Sequence, residues 1–144
     1  MNEPAHGIRR LFLDSAPVIY FIEQHPVYYS VLEPIFSRFE TKDLTAVTSP
    51  ITLAECLIFP MRLGNTEAVE AFLELLGGGH STLFVPLQRK TAKIAAEIRS
   101  KYNVTLTDAF QVASALEASC EALLTNDKAL TRITELRIIL VESL

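Results

Sequence analysis

The chain has 144 residues, 49% hydrophobic and 21% charged, which is one domain's worth of sequence with enough apolar matter for a core and too much for a disordered segment. A formal charge of −4 argues against a surface coated in basic residues that grips nucleic acid nonspecifically. No apolar run approaches the roughly 18 residues of a membrane span, and MNEPAHGIRR lacks the apolar stretch of a secretory signal. Cys56 and Cys120 have neither metal-ligand spacing nor the pattern of a disulfide framework, so the expected compartment is the cytoplasm.

Leu11–Leu13 reads as a first buried strand, followed by helical segments at Ala16–Glu23 and Val27–Phe39. Thr45–Thr48 is a second strand. Ser49–Pro50 then has the form of a helix start, with Ser at the cap and Pro in the first helical position. That helix is expected over Ile51–Phe59, ending before Pro60. Asn65 caps a helix over Thr66–Leu76, whose inward stripe is Val69, Phe72, Leu73 and Leu76, with Glu67, Glu70 and Glu74 opposite. Gly77–Gly79 ends it; the run follows a helix and lacks the spacing of a phosphate-binding glycine loop.

Thr82–Val85 is a third strand, Leu87–Lys101 and Ala109–Ser119 are helices, and Ala122–Leu124 and Arg137–Val141 are the last two strands. Strands alternating with helices of this length imply parallel pairing through right-handed crossovers, hence one α/β layered domain spanning residues 1–144. The short apolar strands fit a sheet covered on both faces.

Ligands of an open parallel sheet collect beyond the carboxyl ends of its strands. Four acids fall there or in early helix turns: Asp14 in LFLDSAPVIYFI, Glu55 in PITLAECL, Asp108 in TLTDAFQVASAL and Asp127 in LLTNDKAL. Each aspartate has a plain structural alternative. Asp14 can cap the following helix, Asp108 can close a capping box with Thr105, and Asp127 can cap the turn Lys128–Arg132. Glu55 lies beyond the capping positions, among Leu53, Ala54, Cys56, Leu57 and Ile58, and needs a partner. Lys128 and Arg132 could pair with Asp127 in an ion network. A divalent cation is the more economical partner for the set, because grouped carboxylates raise one another's pKa until a positive charge joins them. All-oxygen donors suit Mg²⁺ or Mn²⁺ rather than zinc. His6, His25 and His80 lack ligand spacing and read as surface residues. Arg89, Lys90, Lys93, Arg99 and Lys101 form a local basic segment, either a solvated helix face or a phosphate-contacting surface.

The ordered set LFLDSAPVIYFIE, SPITLAECL, TLTDAFQVASAL and LLTNDKAL resembles the PIN domain, in particular the single-domain VapC-like toxins of prokaryotic toxin–antitoxin pairs. The likeness runs from Leu11 to about Val141. It implies a three-layer α/β/α fold with a central parallel sheet of about five strands. It also implies an acidic site of Asp14, Glu55, Asp108 and Asp127 binding one or two Mg²⁺ or Mn²⁺ ions, with the hydroxyls of Ser15 and Thr125 beside it. The implied activity is hydrolysis of single-stranded RNA by in-line attack of water, leaving a 5′-phosphate. The implied partners are a second copy of the chain and a small antitoxin protein. A haloacid-dehalogenase-type phosphatase would want an acid two residues after Asp14, where Ala16 stands, and a receiver domain would want more acids after the first strand. The rival from another class is a catalytically inactive PIN-like module that binds RNA or protein.

Overall fold

The computed structural model describes residues 5–78 and 82–144. Gly79, the last of the expected stop glycines, and His80 lie outside them. In chain order the elements are β1 (Arg10–Leu13), α1 (Ser15–Ile22), α2 (Tyr29–Glu40), β2 (Thr45–Thr48), α3 (Pro50–Arg62), α4 (Thr66–Leu76), β3 (Thr82–Phe84), α5 (Arg89–Lys101), α6 (Leu106–Glu117), β4 (Ala122–Thr125) and β5 (Arg137–Leu140). Short 3₁₀ turns follow β4 at Lys128–Arg132 and β5 at Val141–Ser143.

The five strands form one sheet in the order β3-β2-β1-β4-β5, and every pairing is parallel. This is the α/β layered fold that the alternation of elements predicts. The period-2 alternation of the strands divides the core in two. Leu11, Leu13, Ala46, Ala122, Leu124 and Ile139 pack with Val18, Leu32, Phe36, Cys56, Phe72 and Leu76 from α1–α4. Phe12, Val47 and Leu123, on the other face, pack with Ala95 and Ile98 of α5 and with Ala109, Val112 and Ala113 of α6.

Several local expectations change. The helix that should have ended before Pro60 runs on to Arg62, with Pro60 buried inside it. Proline removes one backbone donor near the helix end, and burial of the ring on the folded chain outweighs that loss. Leu73, placed on the inward stripe of α4, is 40% exposed, and the helix buries Phe72 and Leu76. α6 begins three residues earlier than expected, because Thr105 Oγ1 caps it by accepting from the Asp108 N–H at 3.1 Å. His25 is not a free surface residue: its Nδ1 accepts from the Val27 and Tyr28 N–H groups, and its ring packs on Tyr20 and Tyr28. At the end of α4, Gly78 has φ +90°, and a Cβ on Gly77 would stand 2.6 Å from the Leu73 carbonyl oxygen. Two glycines there are a steric requirement.

Candidate functional site

β1 lies at the centre of the sheet, with β2 on one side and β4 on the other. The chain builds outward from β1 through β2 to β3 and then crosses back to β4. The carboxyl ends of β1 and β4 therefore flank the point where the winding reverses, which in open α/β sheets is where a crevice forms. Asp14 leaves β1 there, its N–H donating to Leu124 O of β4 at 3.0 Å. Asp127 leaves β4 two residues beyond Thr125. α3 and α6 start at the same edge and bring Glu55 and Asp108.

Asp14 is 7% exposed. Its Oδ1 accepts from the Ser15 N–H at 2.9 Å, so it does cap α1. Its Oδ2 accepts from Thr125 Oγ1 at 2.7 Å, and Gln111 Nε2 stands 3.4 Å from Oδ1. The Thr125 hydroxyl in turn accepts from the Asp127 N–H at 3.0 Å, and Asp127 Oδ1 accepts from the Ala129 N–H at 2.9 Å. Asp14 and Asp127 thus cap the turns that follow them, whereas Asp108 donates its backbone N–H to Thr105 and only half of the expected capping box forms. The two capping aspartates are not limited to that role, because a carboxylate has more lone pairs than a cap uses.

The electrostatics bind the acids together. Burial pushes the Asp108 carboxyl up to about 7; a hydrogen bond with Asp127 and the charges of Asp14 and Asp127 push the same way, and the Thr105 side chain opposes them. Glu55 is also raised, first by burial and further by Asp14, against a hydrogen bond from the Ser15 side chain. Asp14 therefore acts on both Glu55 and Asp108, and Asp108 is paired with Asp127. The Cys56 thiol, beside Glu55 and Asp14, is pushed up to about 12 chiefly by burial, which keeps it protonated and unreactive.

The basic residues do not answer this charge. Lys128 pairs with Glu142 at 3.4 Å, and Arg132 Nη1 donates to Asn103 O at 3.2 Å. Among the described residues no ion pair reaches any of the four acids. Nor, among them, do three acid, His or Cys side chains stand close enough to form a ready-made cage for an ion. The donor set still fits a hard divalent cation: it is all oxygen, and two of its carboxyls are raised by burial and by negative neighbours, a cost that a cation relieves.

The basic segment divides along α5. α5 and α6 pack against one another across a short connection at residues 102–105, so they run antiparallel. Arg99 and Lys101 are consequently at the Asp108 end, and Arg89, Lys90 and Lys93 lie away from it. Lys101 pairs with Glu135 at 2.9 Å, Lys93 with Glu97 at 3.6 Å, and Arg99 donates to Val104 O.

Three polar residues not singled out for the site complete its floor. Gln111 and Thr52 are fully buried, as is Ser49, expected only as a cap. Their side chains join α6, α3 and β1 by hydrogen bonds. The available signal was Gln111 itself, a polar residue in a helix whose buried positions also include Ala109, Val112, Ala113 and Ala115.

Fold and site define a parallel α/β domain with an acidic crevice at the sheet's switch point. The model of the PIN domain family matches residues 11–136, and the chain belongs to that family. Comparison with curated proteins found no match. Among solved structures, VapBC2 from Rickettsia felis bound to a promoter DNA fragment superposes with a TM-score of 0.70 at 19% identity, covering 91% of this chain and 98% of that one. DNA-bound VapBC from Salmonella typhimurium gives 0.70 at 21% identity, with 92% and 98% covered. VapC20 of Mycobacterium tuberculosis, named as a sarcin-ricin loop cleaving toxin, gives 0.68 at 14% identity, with 88% and 98% covered. At these identities the likeness is one of fold.

Proposed function

We propose that the chain is a divalent-metal-dependent endoribonuclease acting on single-stranded RNA in the cytoplasm, the toxin of a toxin–antitoxin pair. The observation that carries this reading is the convergence of four acids at the switch point with no cationic side chain to meet them among the described residues. Membership of the PIN family and the fold shared with VapC-type toxins support it.

In this reading Asp14, Asp108 and Asp127 hold Mg²⁺ or Mn²⁺, and Glu55 is a further ligand or the base that orients the attacking water. A bound cation supplies Lewis acidity, making water a better nucleophile near neutral pH and offsetting charge on the phosphate and the leaving oxygen. Thr125 holds Asp14 in place through its 2.7 Å hydrogen bond, and the Ser15 side chain does the same for Glu55. The acidic crevice repels RNA by itself, so cationic groups at its margin have to steer the backbone. Arg99 and Lys101 are best placed to do so, and Arg89, Lys90 and Lys93 extend the track along α5. A small antitoxin covers the crevice in the resting complex, and the toxin works as a homodimer.

The test is cleavage of total cellular RNA with Mg²⁺ or Mn²⁺, with EDTA, and with Asp14→Asn. Cleavage that needs the cation and falls at least about a hundredfold in the variant supports the reading. Cleavage that persists in EDTA or in Asp14→Asn overturns it. RNA bound but never cut marks the chain as a binding module. Expression without a partner should arrest growth, and Asp108→Asn should relieve the arrest.

A further inference from the structure

The floor of the crevice is a closed set of hydrogen bonds centred on Gln111. Its side chain is fully buried in the first turns of α6, one turn beyond Asp108. Ser49 Oγ donates to Gln111 Oε1 at 2.7 Å, and Gln111 Nε2 donates to Thr52 Oγ1 at 2.7 Å and faces Asp14 Oδ1 at 3.4 Å. Thr52 Oγ1 donates to Leu13 O, the last carbonyl of β1, at 2.9 Å.

The direction of these bonds is forced. A threonine hydroxyl has one proton, and that of Thr52 goes to Leu13 O, so Thr52 can only accept from Gln111. The Gln111 nitrogen must therefore face Thr52 and Asp14, which turns its oxygen to Ser49. Ser49 Oγ accepts from the Ile51 and Thr52 N–H groups, at 3.2 and 3.4 Å, and has one proton for Gln111. Flipping the amide would set a carbonyl oxygen against the Asp14 carboxylate and leave Thr52 and Ser49 without their partners, a heavy penalty in a buried site.

We infer that Gln111 is a positioning residue for Asp14: it ties the helices that carry Asp108 and Glu55 to the end of β1 and holds the Asp14 carboxylate in the orientation that receives the cation. This rests on the metal-dependent reading above. Thr125 fixes Oδ2 from the β4 side, and Gln111 stands at Oδ1 from the α6 side, so the carboxylate is held from both flanks. Partners of this kind set the orientation of metal-binding carboxylates. A hydrophobic residue at position 111 would pack as well but would leave Oδ1 with the Ser15 N–H as its one remaining hydrogen-bond partner among the described residues.

The experiment compares wild type with Gln111→Met, which keeps the side-chain length and removes the hydrogen bonds. Two quantities are read. One is the backbone amide resonance of Ser15 in the metal-free protein, because that N–H donates to the same Oδ1. The other is Mn²⁺ affinity, from the electron paramagnetic resonance signal of free Mn²⁺. The inference expects the Ser15 resonance to move and the Mn²⁺ dissociation constant to rise about tenfold or more, with cleavage recovering at high Mn²⁺. A folded Gln111→Met protein with the Ser15 resonance in place, or with wild-type Mn²⁺ affinity, overturns it. If the wild type itself binds no Mn²⁺, the metal-dependent reading fails and the positioning role stands or falls on the Ser15 resonance. Should Gln111→Met not fold, Ser49→Ala, which frees the amide oxygen and keeps Gln111, is judged by the same two readouts, with a smaller shift in the same direction expected.

Discussion

Asp108 sits where burial and two neighbouring carboxylates act in one direction, holding its carboxyl at about 7 against an ordinary 3.8. Between about pH 4 and about pH 7 the folded chain keeps a proton that the unfolded chain has lost. The stability that proton contributes is complete below the unfolded value and disappears as pH rises through the folded one. Because the group is only half buried, solvent screening reduces its worth to about 1 kcal/mol. Asp108→Asn should therefore flatten the fall in Tm of the metal-free protein between about pH 4 and about pH 7, followed by circular dichroism in EDTA. Parallel wild-type and variant curves would dispose of the electrostatic pairing with Asp127. The same variant should be inactive on RNA, so stability and activity move in opposite directions at this position.

At the scale of elements, α6 and α5 carry separate consequences. The Thr105 cap satisfies one of the unpaired N–H groups at the start of α6, and Thr105→Ala should cost about 1 kcal/mol, read as a lower urea midpoint with an unchanged slope. Along α5, the antiparallel pairing with α6 ranks the basic residues by distance from the acids. Arg99→Gln should lower the salt slope of RNA binding by about 0.7, the change for one lost phosphate contact on a single strand. Arg89→Gln, at the far end, should lower it by less. Equal slopes for both variants would mean that RNA does not approach along the Asp108 end of the helix.

For the whole molecule, a cation that binds only the folded chain stabilises it by mass action. At a Mn²⁺ concentration about a hundred times its dissociation constant, the gain is about 2.7 kcal/mol. Tm should rise accordingly, return to its starting value with EDTA, and stay flat in Asp14→Asn. A rise of equal size in the variant would place the cation elsewhere. The core beneath the crevice should be as sensitive as any close-packed interior: Leu124, on the strand that bears Thr125, is fully buried, and Leu124→Ala should cost about 2–5 kcal/mol in chemical denaturation.

The sequence by itself determined the layered architecture, since alternating apolar strands and amphipathic helices leave little choice but a parallel sheet covered on both faces. It also offered Asp14, Glu55, Asp108 and Asp127 as candidates through their places at strand ends and early helix turns, Glu55 most sharply because it lies past the capping positions among apolar neighbours. Caps were legible for the same local reason: Thr105, Asn65 and Ser49 act within a few residues of themselves. Only the tertiary structure decided how far each element ran and which groups met. Pro60 stays helical because burial on the folded chain outweighs a local preference. The basic segment divides because α5 turns back along α6, which composition along the chain cannot express. Gln111 meets Asp14 across 97 positions of sequence, and a polar residue within a helix carries no record of its partner. Which acids converge, and what holds them at one edge, follows from strand order and helix pairing, and those exist only once the chain has folded.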